Sequence, residues 1–178
     1  MSPAHSTHFV QLFQTDEALI DAASRYVRDT IDAGSTCIAL TTLAHRECIA
    51  TRLASLGMDS ELLVSTYRYI TLNAHQALER LMTDERLDRQ QFHRNMGLLI
   101  RQAASSGQPV CVFSELVPLL LAAGRNRCAI QLEDLWNELS RLHRFTLCCA
   151  YPLTDAACDP ATRERVCAMH ERVVPACS

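Results

Sequence analysis

Three short runs, TCIALTT at 36–42, VCVFS at 110–114 and FTLCCA at 145–150, are apolar at almost every position rather than at every second one. A strand with one face in water alternates, whereas a strand covered on both faces reads as a near-continuous apolar run. Between these runs lie stretches with helical spacing. Leu19, Ala23, Tyr26, Val27 and Thr30 recur on one side of a segment that Thr15 can cap, with Asp16 and Glu17 in its first turn and Gly34 at its end. Strands separated by helices predict an α/β fold, a three-layer sandwich with a mostly parallel central sheet and helices on both faces.

The other elements follow the same logic. HFVQLF (8–13) and YRYITL (67–72) read as strands. Ile49, Leu53 and Leu56 mark one face of a helix that ends at Gly57, and a short helix is expected over Ser60–Val64. Asn73 is a cap for AHQALERLM, and the polar turn TDERLD leads into a helix with Phe92, Met96, Leu99 and Ala103 on its buried stripe. Glu115 opens a helix whose early Pro118 suits a first turn, and Gly124 ends it. Cys128, Leu132, Leu135, Leu139 and Leu142 give the clearest helical period, and the tail from Ala161 to Val174 reads as one more helix. With no linker, repeat or low-complexity stretch, one domain is expected over 1–178, its core from about 8 to 175.

Charge and composition exclude several classes. Seventeen basic and twenty acidic side chains, net charge −3, form no block of one sign, so neither a nucleic-acid footprint nor a polybasic membrane patch is expected. The start, MSPAHSTHFVQLF, lacks the pattern of a signal peptide, and the longest apolar runs are too short to span a bilayer. A cytoplasmic location is expected. The nine cysteines are odd in number and include no CxxC pair, which argues against a disulfide framework. Adjacent Cys148 and Cys149 in one strand point to opposite faces.

In open parallel sheets ligands bind beyond the carboxyl ends of the strands. The residues just after each run are Thr42 to Arg46, Asn73 to His75, Ser114–Glu115 and Tyr151–Pro152. The first of these junctions carries neither the glycines nor the lysine of a phosphate loop, and no GxxxxGK[ST] occurs anywhere. It offers His45 and Arg46 at a helix start instead, where backbone donors favour anions. Glu115 stands where P-loop ATPases hold a metal- or water-handling acid, but the rest of that machinery is absent. No GxSxG elbow occurs either. Cys158, Cys167, His170 and Cys177 invite a metal reading, and Cys167 and His170 share a helical face. Their spacing matches no tight zinc pattern, so neither metal ligands nor a cofactor are assigned.

HFVQLF, CIALTTLAHREC, RYITLNAHQALERLM, QQFHRNMGLLI, VCVFSELVPLLLAAG, QLEDLWNELSRLHRFTLCCAYP and VCAMHERVVP follow one another in this order. Together they resemble the MEDS domain, a methanogen/methylotroph sensory domain, from about His8 to Pro175; the LEDLWNEL…CCAYP block is the most specific part. The resemblance implies a RecA/KaiC-like core without its phosphate loop, in a sensory or regulatory module often joined to histidine-kinase, anti-sigma-type or DNA-binding regions. It also implies that FTLCCA lies between CIALTT and VCVFS, so that His45–Arg46, Ser114–Glu115 and Tyr151–Pro152 face one crevice. Where relatives usually have Phe-Gly-Glu, this chain has Phe113-Ser114-Glu115.

The expected function is therefore a non-catalytic sensory domain that binds a small molecule or a regulatory protein partner, with no direct contact to nucleic acid or membrane. His45 and Arg46 would supply donors, Glu115 an acceptor, and Tyr151 a wall with a polar tip. No effector segment is expected after the domain, which would leave output to a partner protein or a homodimer. The alternatives are a weak nucleotide hydrolase using Glu115 and a thiol or metal sensor using the Cys-rich tail.

Overall fold

A computed structural model describes residues 7–153 and 160–175. Six strands form one parallel sheet: β1 (Thr7–Phe13), β2 (Thr36–Thr41), β3 (Tyr69–Asn73), β6 (Val110–Ser114), β7 (Thr146–Pro152) and β8 (Arg172–Val174). Their order across the sheet is β3-β2-β6-β7-β1-β8. Two further strands, β4 (Met82–Thr83) and β5 (Arg86–Leu87), make a small antiparallel hairpin. The helices are α1 (Asp16–Asp32), α2 (Leu43–Ser55), α3 (Ser60–Ser65), α4 (Ala74–Leu81), α5 (Arg89–Ala103), α6 (Leu116–Ala122), α7 (Asn126–Leu142) and α8 (Pro160–Ala168).

The apolar strands have the two covers that their sequences require. On one face α1, α2 and α3 pack through Leu19, Val27, Ile49, Leu53 and Leu63 against Phe9, Cys37, Ala39, Phe113 and Cys148. On the other, α4 to α8 pack against Val10, Ile38, Leu40, Val112, Leu147 and Cys149, with Trp136 and Phe92 edge to face at 5.0 Å. The sheet with helices on both faces is the expected three-layer α/β sandwich. Cys148 and Cys149 do face opposite layers.

Crossovers running toward β3 cover the first face, and those running toward β8 cover the second. That division follows from a single crossover hand. It also corrects the position implied for FTLCCA. β7 lies between β6 and β1, and β2 pairs directly with β6, Leu40 opposite Ser114. Reaching a place between β2 and β6 through α6 and α7 would need a crossover of the opposite hand.

The tail differs as well. The last helix stops at Ala168, and Arg172–Val174 pairs with Phe9–Gln11 as a strand, with the Arg172 guanidinium 4.9 Å above the Phe9 ring. Tyr67 stands outside β3 with φ 57° and is exposed, so that strand begins two residues later than its alternation predicts. Among the described residues no helix is long and apolar enough to cross a membrane.

Candidate functional site

The strand-to-helix junction after β2 is built on Thr42. Its hydroxyl accepts from the His45 N–H at 3.2 Å, and its carbonyl accepts from the Arg46 N–H at 2.9 Å. This caps α2 and turns the His45 side chain toward β6. At the tip of β6, Glu115 is held by its own N–H donating to Leu40 O at 2.9 Å. Its carboxylate reaches back across the crevice. Oε2 accepts the Thr42 N–H at 2.8 Å, and Oε1 lies 2.5 Å from His45 Nδ1.

This pair occupies the gap where α2 leaves for one face and α6 for the other, the switch-point position in an open sheet. Glu115 is buried and His45 is about 18% exposed at its side chain, so the imidazole is the part that meets solvent. Asp16, at the start of α1, comes within 3.8 Å of His45 Nε2. The bond from Glu115 raises the His45 pKa above its ordinary value, against the lowering effect of partial burial, and Asp16 adds to the rise.

Of the four residues proposed from the sequence, His45 and Glu115 are brought together. Arg46 is turned to the other side of α2, where with Glu61, Val64, Tyr69 and Thr71 it lines a groove of about 360 Å³ against α3 and the edge strand β3. Tyr151 does not reach the crevice. It shares strand parity with Leu147 and Cys149, is buried beneath α7, and its hydroxyl donates to Glu133 Oε1. Thr42 and Asp16 complete the His45 environment. Neither was singled out as a ligand contact in the sequence, although both are helix-start residues next to strand tips.

Ser114, where the resemblance implies a glycine, is buried, and its Oγ accepts the Leu116 N–H at 3.3 Å. The extra hydroxyl thus serves the start of α6.

A second polar cluster lies on the face covered by α4 to α8, between β1, β7, α7 and the turn after α8. His8, Glu133, Cys149 and His170 are all buried, and one ligating atom of each falls within 4.8 Å of the others. In the sequence His170 falls beside Cys158, Cys167 and Cys177, a set whose spacing assigned no metal ligands. Cys158 and Cys177 lie outside the described residues; His170 meets the carbonyls of Val166 and Cys167 in its own segment, and its ring lies beside His8, Glu133 and Cys149 from β1, α7 and β7. Burial lowers the His170 pKa and raises those of Cys149 and Tyr151, with the Glu133 carboxylate adding to both rises.

The model of the MEDS family (methanogen/methylotroph, DcmR sensory domain) matches residues 7–171. The chain belongs to the MEDS family. No curated protein matches it. As a MEDS domain it has a sensory or regulatory role.

Proposed function

We propose that this MEDS domain is a non-catalytic sensor in bacterial or archaeal signal transduction, reading a small polar molecule through His45 and Glu115 at the carboxyl edge of the sheet. One observation carries the reading: the Glu115 carboxylate sits on the amide donor and the imidazole at the start of α2. In a phosphate-binding relative of this architecture, the donors at that junction face the ligand. Here an internal acid occupies them. A ligand bearing a carboxylate or another strong acceptor would compete with Glu115 for His45 and the Thr42 N–H. Displacing Glu115 would free the β6–α6 corner from the β2–α2 corner, giving ligand occupancy a mechanical consequence.

The same observation weighs against the hydrolase alternative, since the Glu115 carboxylate stands on donors that a nucleotide phosphate would need. Arg46 supplies the wall of a neighbouring groove. Output passes by contact to a regulatory partner of kinase, anti-sigma or transcription-factor type, or to a second copy of the chain. The test is recovery of protein from native extract followed by mass spectrometry of bound small molecules, comparing wild type with the His45→Gln, Glu115→Gln pair. The reading expects a molecule retained by wild type and lost from the folded double variant. Equal retention by both would place the ligand elsewhere.

A further inference from the structure

We infer that His8, Glu133, Cys149 and His170 form a four-coordinate zinc site. The site lies on the face of the sheet covered by α4 to α8, apart from the His45–Glu115 crevice at the carboxyl edge.

The geometry comes first. His8 Nε2 lies 3.2 Å from Glu133 Oε2 and 3.3 Å from Cys149 Sγ; His170 Nε2 lies 3.4 Å from Glu133 Oε2, and Cys149 Sγ 4.0 Å from it. Zinc bonds of about 2.0–2.3 Å at tetrahedral angles put neighbouring donor atoms roughly 3.3–3.8 Å apart. Three of these four pairs stand near the spacing of a tetrahedral shell, and all four ligand atoms lie within 4.8 Å of one another, so a small contraction completes the shell.

The second argument is which atoms carry protons. His170 Nδ1 lies 2.9 Å from the carbonyl of Val166, which can only accept, so Nδ1 carries the hydrogen and a neutral ring presents a lone pair at Nε2. His8 Nδ1 lies 2.9 Å from Asn137 Oδ1. The orientation of that amide is fixed because Asn137 Nδ2 donates to Met169 O at 3.2 Å. A neutral His8 ring therefore also presents an Nε2 lone pair. With both rings neutral, two lone pairs and a carboxylate oxygen converge in a buried space with a single thiol proton between them. His170 Nε2 has no hydrogen-bond partner among the described residues. An acceptor-rich, desolvated cluster of this kind is costly when empty and is satisfied by a cation.

The outer contacts fit the same reading. Ligating histidines typically donate their other ring N–H to a carbonyl or carboxylate, and ligating carboxylates are themselves hydrogen-bonded. Val166 O and the Asn137 amide serve the two rings, and the Tyr151 hydroxyl donates to Glu133 Oε1, leaving Oε2 for the metal. This assigns Tyr151 a positioning role. A mixed nitrogen, oxygen and thiolate set suits zinc, and four protein ligands leave no open position, as in structural sites. Charge balances: Zn²⁺ binding releases the Cys149 thiol proton to solvent, and the thiolate and the Glu133 carboxylate neutralise the ion. The bound ion would join the turn after α8 to β1 and β7, where the Glu171 N–H already donates to His8 O at 2.9 Å.

The test uses the full chain, stripped with a chelator and reloaded with Zn²⁺ or Co²⁺. About one zinc per chain should survive dialysis, and Co²⁺ should give the strong visible bands of a tetrahedral site together with a thiolate-to-metal band. Cys149→Ser should lose the thiolate band, and His170→Gln and Glu133→Gln should weaken affinity at least about tenfold. Cys148→Ser, on the other face of the same strand, should bind as wild type. Zinc should also protect Cys149 of the wild type from alkylation, a readout that needs no variant to fold. The inference is overturned if the folded wild type takes up no zinc or cobalt, if bound cobalt shows no sulfur ligation, if zinc leaves Cys149 alkylation unchanged, or if the three ligand variants bind as wild type does.

Discussion

Replacing Glu115 by Gln isolates the electrostatic part of the crevice. The carboxamide keeps nearly the same shape and one carbonyl oxygen, which can still accept the Thr42 N–H now held at 2.8 Å. What is lost is the charge facing His45 Nδ1 at 2.5 Å. A hydrogen bond to a charged group contributes about 1.5–3 kcal/mol and a neutral one about 0.5–1.5, so the substitution should cost about 1–2 kcal/mol while His45 is an imidazolium. The pH window follows from the direction of the His45 shift. Its folded-state pKa is raised above an unfolded value of about 6.5, so the pair's contribution is fully present below that value and is lost as pH rises through the folded pKa. Asp16 is exposed and 3.8 Å away, so it modifies the slope little. Urea unfolding of wild type and Glu115→Gln at pH 6 and pH 9 gives a difference of differences in which unrelated titrations cancel. The stability gap should be wider at pH 6 than at pH 9, and an NMR titration should find the His45 pKa lower in the variant. A gap of the same size at both pH values would refute the ion-pair account.

Ser114→Ala removes the hydroxyl that accepts the Leu116 N–H and should cost about 0.5–1.5 kcal/mol in thermal or urea unfolding, leaving the His45 titration unchanged. Trp136 is buried against Phe92 and Phe145, so Trp136→Ala should cost about 3–5 kcal/mol. Trp136→Phe should cost less than half as much by the same unfolding measurement. The indole N–H has no hydrogen-bond partner among the described residues, so its removal relieves a buried unsatisfied donor while most of the ring packing remains.

The layered fold was legible because it rests on local patterns. Runs such as TCIALT can be stable only between two helical layers, and in the structure all six residues of β2 are buried. Legibility ended where an element is too short to show a period. Arg172–Val174 is three residues long, continues a helical pattern in the sequence, and becomes a strand because the free edge of β1 offers it hydrogen bonds. The β4–β5 hairpin turns on Asp84 and Glu85, both at positive φ, and neither is the glycine or asparagine that usually marks such a turn. Strand order was set by crossover handedness, which the element sequence contains only once each helix has been assigned to a face.

For the sites, strand and helix parity held more information than strand tips did. His45 and Glu115 stand at the ends of apolar runs, where a search along carboxyl edges finds them. Tyr151 also follows such a run, but it shares the parity of Leu147 and Cys149 and so turns under α7. Parity also exposes the second cluster. Glu133 lies four residues after Ala129 and three before Trp136, in the middle of a stripe that is otherwise apolar. His8 shares the inward parity of Val10 at the start of β1. A carboxylate cannot be buried without a partner, so each violation announces that a partner exists. Neither announces which one. His8 and Cys149 are 141 positions apart in sequence, and only the placing of β7 beside β1 brings them within 3.3 Å. The chemistry of the cluster is therefore written in single residues that each break a local rule, and the topology alone supplies the pairing.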